Sequence, residues 1–177
     1  MRSALKSFDW HLYGLSTEDF DYTVNIVKRI IKSRGEAVER DLSDLEQDPA
    51  DAAKEILSDV KYYTWIENQY FWHFCLWRLQ GILEGLITTV FLDPQAATNL
   101  FGLKAKLDAM ITAGYTISSE VYDELLEWSK LRNALSHCPP EQFHPVALDD
   151  EDINEYLGIV KPLVSGWQSD RVGRAGN

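Results

Sequence analysis

Cysteine is scarce in this chain of 177 residues: Cys75 and Cys138 are the only two. So few thiols exclude a disulfide-stapled scaffold and fit a protein kept in a reducing cytoplasm. Basic residues are short as well, with 17 Lys and Arg against 28 Asp and Glu, a formal net charge of −11. A molecule of that sign repels polyanions as a whole, which excludes a general nucleic-acid coat protein. Any RNA chemistry must then be carried by a local basic site. The opening residues, MRSALKSFDWHLYG, lack an apolar run of the length a signal peptide needs. Alternating strand patterns, internal repeats, glycine-rich phosphate loops, nucleophile elbows and paired-carboxylate motifs are all missing.

Apolar residues are plentiful: 45% of the chain is hydrophobic and 12% aromatic, with six Trp and eight Tyr. This is the profile of one compact globular domain with a substantial core. The aromatic excess implies a thick aromatic core, a self-association surface, or both. The stretch from Tyr70 to Leu92 is long enough to span a bilayer, but it carries His73, Arg78, Gln80 and Glu84 at mid-depth. Each is expensive in hydrocarbon, so the stretch reads as a buried helix of a water-soluble protein.

Helical punctuation runs along the chain. Ser16 followed by Asp19 resembles a capping box, and Phe20, Val24, Val27 and Ile31 recur at helical spacing up to Gly35. A short second segment places Val38, Leu42 and Leu45 on one face. Asp48-Pro49 is a helix start, and the pattern then runs without a breaker to about Phe91, with a bend expected near Gly81 or Gly85. Asp93-Pro94 repeats the start signal for a segment closed by Gly114. Ser118 or Ser119 opens the next helix, which Pro139-Pro140 must end. Asp149 to Asp152 put negative charge at the start of a last helix, where the dipole favours it. The expected architecture is all-α, a bundle of about five to six helices with one long central helix, in a single domain over residues 1–168. The tail from Ser169, SDRVGRAGN, reads as disordered.

The segment from Tyr70 to Phe91 is apolar nearly all the way round, so it must be covered on several sides, as at a bundle centre or a dimer interface. Gly81 and Gly85 form a small-xxx-small pair that admits a close neighbour, ordinary core packing being the simpler use of it.

The chemistry concentrates in VYDELLEWSKLRNALSH, Val121 to His137. Val121, Leu125, Trp128 and Leu135 form an apolar stripe, and Arg132 falls inside it. A guanidinium there costs several kcal/mol, on the order of a desolvated charge, unless it is paired or used. One reading pairs it with Glu127 or Glu124 as a packing device. Asn133 follows directly, however, and His137 lies four residues beyond Asn133 on the same face.

Arg-Asn-x-x-x-His near a helix end resembles the R-x(4–6)-H signature of the HEPN superfamily, including the polar residue after the Arg. Leu103 to Leu107, Gly114 to Ile117, Tyr122 and Leu125-Leu126 resemble the helices leading into that motif, so the likeness covers about Asp93 to Pro140. The resemblance implies a HEPN-like bundle that dimerises with its motifs facing one another, and metal-independent RNA cleavage without a cofactor. At about 100° per residue, Arg132 and His137 point roughly 140° apart on a regular helix. Two facing copies would bring one protomer's His near the other's Arg. His137 would serve as general base or acid, Arg132 would hold the phosphorane, Asn133 would orient His or phosphate, and Ser136 would add a hydrogen bond.

Other groupings are weaker. His137, Cys138 and His144, with His73 and Cys75, match no standard zinc spacing, so no metal is expected. Lys28, Arg29, Lys32 and Arg34 crowd one helix; they offset its dipole, and are also the best local patch for RNA backbone contacts. The aromatic run Tyr62, Tyr63, Trp65, Tyr70, Phe71, Trp72 and Trp77 is expected to serve core or dimer packing ahead of base stacking. The leading functional expectation is an endoribonuclease, a toxin or abortive-infection effector, acting as a homodimer. The alternative is a non-catalytic module binding RNA or a protein, such as a nucleotidyltransferase-like antitoxin.

Overall fold

A computed structural model describes residues 15–46, 51–137 and 147–175, and all regular structure among them is helical. In chain order the helices are α1 (Glu18–Glu46), α2 (Asp51–Leu86, continued by a π-helical turn Ile87–Phe91), α3 (Pro94–Ala97), α4 (Gly102–Thr112), α5 (Ser119–His137) and α6 (Asp150–Ala175). The all-α bundle with one long helix is as the sequence predicts.

Local capping explains most of the helix starts. The Asp19 carboxylate accepts from the Ser16 amide at 2.8 Å and the Ser16 hydroxyl at 2.7 Å, and these bonds hold its carboxyl below the usual range. Asp93 accepts from Gln95 N and Ala96 N, and Asp149 from Glu151 N and Asp152 N, each carboxylate satisfying amides that have no partner within the helix. Ser118 Oγ accepts from Val121 N at the start of α5. Gly114, at φ 84°, closes α4 as expected, with Tyr115 N donating back to Met110 O.

Several boundaries differ from expectation. Gly35 does not end the first helix: α1 runs through it to Glu46 and absorbs the predicted short second segment. An interior glycine costs about 1 kcal/mol relative to alanine, and burial of Leu42 further along the same helix offsets that cost. The segment after Asp93-Pro94 is not one helix. A single turn, α3, breaks before Gly102, whose φ of 75° is a conformation glycine reaches without strain. Helical hydrogen bonding continues through Gly81 and Gly85, and the irregularity is the π-helical turn just beyond, where Leu92 N donates to Ile87 O at 2.9 Å. The tail predicted as disordered is helical from Ser169 to Ala175, because it continues α6 with Ser169 Oγ donating to Ser165 O. Asp48-Pro49, Cys138, Pro139-Pro140 and His144 lie outside the described residues.

The core sits around the C-terminal half of α2. Leu76, Leu79, Ile82 and Leu83 are fully buried there against Phe20 and Val24 of α1, Leu107 and Met110 of α4, Leu125 of α5, and Ile153, Tyr156 and Val160 of α6. Each such side chain contributes about 1.5–3 kcal/mol by leaving water. Phe91, Tyr115 and Trp167 form an edge-to-face trio, with Tyr115 OH donating to Phe91 O and Trp167 Nε1 to Thr116 O. Ion pairs Lys28–Asp150 and Lys161–Asp21, both 2.6 Å, tie α6 to α1.

The N-terminal half of α2 is different. Among the described residues, Ala53 is the only fully buried one on α2 before Trp72, and Tyr62, Tyr63, Trp65 and Tyr70 are more than half exposed or close to it. Core packing was one use expected of the aromatic run; of its members only Trp72 is buried. By length and composition α2 could also cross a bilayer, with half of its most apolar window buried in the bundle. Among the described residues no second helix packs on the Gly81–Gly85 pair: Leu15 packs on Gly85, and a Cβ on Gly81 would meet nothing within 4 Å.

Candidate functional site

The site forms where α5 lies beside α2. Arg132 is not paired with Glu124 or Glu127, as the helix alone predicts; Glu127 is taken by Lys130. The Arg132 guanidinium instead reaches across to α2, donating from Nε to Gln80 Oε1 at 3.1 Å and from Nη2 to Glu84 Oε1 at 2.8 Å. Gln80 turns its amide nitrogen to the Trp128 carbonyl at 2.8 Å, and the other oxygen of Glu84 pairs with Lys106 of α4. Three helices are thus joined through one carboxylate. Arg132, Glu84 and Lys106 retain side-chain exposures of only 20%, 16% and 14%. At that depth each charge would be costly alone, and the network neutralises it.

Tyr156 of α6 lies behind this network, its ring edge-on to Trp128 at 5.5 Å. Burial pushes its phenol above the usual range, the Glu84 carboxylate adds to the effect, and Arg132 opposes it. Its hydroxyl is buried without a hydrogen-bond partner among the described residues.

Two adjoining spaces open from the network. One, of about 350 Å³, is bordered by Glu84, Gly85, Thr88 and Lys106. The other is a groove of about 430 Å³ walled on the α2 side by Tyr70, His73, Phe74 and Trp77. Its α5 side is made by Arg132, Leu135, Ser136 and His137. Trp77 and Arg132 border both spaces and mark their division. Arg132 and His137 therefore share one groove within a single protomer, despite their divergent directions on the helix. A space of this size spans more than one helical turn, and Arg132 is long enough to reach it from its own register.

The remaining predicted residues are placed less centrally. Asn133 is exposed and does not border the groove. Ser136 is exposed, and its hydroxyl donates to the Arg132 carbonyl at 2.8 Å. Of the basic cluster on α1, Lys28 pairs with Asp150, Lys32 with Glu36 and Arg34 with Glu67; Arg34 also covers the Phe71 ring at 5.4 Å. None of these four, including Arg29, borders the groove. Cys75, weighed as a metal ligand, is a core thiol that burial pushes up to about 12.

Sequence reasoning missed Gln80, Glu84 and Lys106 as members of the site. A signal existed: Gln80 and Glu84 stand four residues apart, two polar side chains on one face of an otherwise apolar helix.

Comparison with known proteins adds no relative. No protein-family model, curated protein or solved structure matches the chain. The likeness to the HEPN superfamily rests on Arg132, Asn133, His137 and their helical setting.

Proposed function

We propose that the protein is a metal-independent endoribonuclease of the HEPN type, cytoplasmic and active as a homodimer. One observation carries the reading: a guanidinium and an imidazole, Arg132 and His137, border the same aromatic-walled groove. In the reaction the 2′-hydroxyl of RNA attacks the adjacent phosphorus, and the bond to the 5′ oxygen breaks. The products are a 2′,3′-cyclic phosphate and a 5′-hydroxyl. His137 takes the 2′-hydroxyl proton as general base or gives a proton to the 5′ oxygen as general acid. Arg132 neutralises the crowded phosphorane, with Gln80 and Glu84 fixing the plane of its guanidinium. The exposed rings of Tyr62, Tyr63 and Trp65 in the N-terminal half of α2 are the proposed surface for the second copy, and light scattering at micromolar concentration should then give about twice the 20.3 kDa chain mass.

The decisive experiment measures RNA cleavage with excess chelator. The protein should cut single-stranded RNA, spare DNA of the same sequence, and leave cyclic phosphate ends. His137→Ala should lower the rate by on the order of a hundredfold or more while melting like the parent. Cleavage unchanged in His137→Ala, or abolished by the chelator, rejects the mechanism.

A second reading has its own support. Arg132 is engaged on two sides by Gln80 and Glu84, as a structural arginine would be. The molecule would then be a non-catalytic helical module that binds RNA or a partner protein such as a nucleotidyltransferase-like antitoxin. Arg132→Lys separates the two. A catalytic arginine predicts large activity loss in a folded protein, whereas the module predicts lost stability and no cleavage in any variant.

A further inference from the structure

The α2 wall of the groove is unusual for a surface that handles a phosphate. Tyr70 and Phe74 are each 59% exposed and Trp77 is 54% exposed, so three large rings stand open to solvent beside Arg132 and His137. No ring contact within the chain covers Phe74 or Trp77 among the described residues, and Tyr70 meets only the edge of His73 at 6.5 Å. A phosphate alone gains nothing from such walls. A planar, π-faced group attached to the phosphate gains from them directly, because stacking on aromatic side chains is the usual means of holding an unpaired base. The groove's 430 Å³ also falls in the range of about 300–1,000 Å³ typical of small-molecule sites. Its two walls differ in kind: apolar rings come from α2, while α5 supplies the guanidinium and imidazole.

We infer that the rings of Phe74 and Trp77 form a subsite for one unstacked nucleobase, placed so that the adjoining phosphate meets Arg132 and His137. The inference rests on the nuclease reading and adds a specificity to it. A base inside a duplex is stacked on both faces and cannot enter between α2 and α5, so paired RNA is refused without any sequence being read. This also answers the electrostatic difficulty of a chain with net charge −11. Capture by stacking is nearly independent of salt, whereas capture by a basic surface is not.

The test uses a short single-stranded oligonucleotide of 2′-deoxy sugars, which keeps bases and phosphates but lacks the attacking hydroxyl. Binding is read by fluorescence anisotropy for the parent, Phe74→Ala and Trp77→Ala. Phe74 and Trp77 are surface side chains, so their truncation should leave melting and helicity unchanged. Each should weaken binding roughly ten- to a hundredfold. An oligomer with abasic sugars throughout should bind the parent as weakly as the normal oligomer binds Trp77→Ala. Equal binding of normal and abasic oligomers, or undiminished binding by both truncated variants, overturns the base subsite and leaves cleavage by the parent to be judged separately. Truncations that convert a dimer to monomer without changing oligonucleotide affinity assign these rings to self-association and also overturn it. A parent that binds through Phe74 and Trp77 but never cleaves keeps the subsite and removes the nuclease.

Discussion

Replacing Glu84 by Gln tests the network more sharply than any change at Arg132. The carboxylate is shared: one oxygen accepts from Arg132 and the other pairs with Lys106. Removing one partner from a fully buried ion pair costs about 3–5 kcal/mol, chiefly because the other charge is stranded. Arg132→Met leaves Glu84 still paired with Lys106, and the side chains keep up to 20% exposure, so the cost should fall to about 2 kcal/mol. Glu84→Gln instead strips the anion from two cations at once, and should cost about 3–4 kcal/mol. In a domain of this size 1 kcal/mol moves the melting midpoint by about 2–4 °C, so Arg132→Met should lower it by about 4–8 °C and Glu84→Gln by about 6–16 °C. Far-UV circular dichroism during heating measures both, and added salt should change the difference little because the pair is largely shielded from solvent. A midpoint for Arg132→Met within a degree of the parent, or a milder effect for Glu84→Gln than for Arg132→Met, would refute the account of a carboxylate shared by two cations.

Three other outcomes follow from the packing. In a Cys138→Ser background Cys75 should resist thiol reagents at pH 8 until the protein unfolds, since its thiol is buried and titrates near 12 against an ordinary 9.0. Because the folded value is the raised one, the contribution of Cys75 is fully present below about pH 9 and is lost as the pH climbs toward 12; a Cys75→Ala variant should lose that part of the alkaline destabilisation. Gly85→Ala should leave the melting midpoint within about 2–4 °C of the parent in the same assay, because the added Cβ would meet only the flexible end of the Leu15 side chain and alanine is favoured over an interior helical glycine by about 1 kcal/mol; a larger fall would show that Leu15 cannot move aside. Gly102→Ala should cost about 1–2 kcal/mol in chemical denaturation, through a φ of 75° that alanine adopts only under strain.

The parts of the fold legible in the sequence are those whose cause lies within a few residues. Asp19 reaching back to Ser16, Asp93 and Asp149 capping their helices, and Gly114 closing α4 are all contacts inside a single turn. Gly35 was misleading because a glycine permits a stop without requiring one, and burial of Leu42 beyond it decided the matter. Gly102 drew no attention in the sequence, yet it separates two helices. Arg132 was identifiable as an anomaly from its own helix. Its partners were not, since Gln80 and Glu84 lie 52 and 48 residues away and only packing brings them near. The same two residues were visible as polar interruptions of an apolar run, which argued against a membrane span; nothing local connected them with Arg132.

The π-helical turn at Ile87–Phe91 acts as a phase shift written into the longest helix. By accommodating one extra residue per turn it rotates everything after Leu86 relative to the register set by Leu76, Leu79 and Leu83. That rotation is what aims Phe91 at Tyr115 and Trp167. The chain therefore tolerates loss of the exposed Thr89 far better than truncation of the buried Ile87 or Phe91. Deleting a single residue there would restore an ordinary α-helix and leave Phe91 facing nearly the same way, because four residues at about 100° each cover almost the rotation of five in the wider turn. The junction that docks α4 and α6 onto the central helix would stay in step one residue short, with every side chain of the aromatic trio still present.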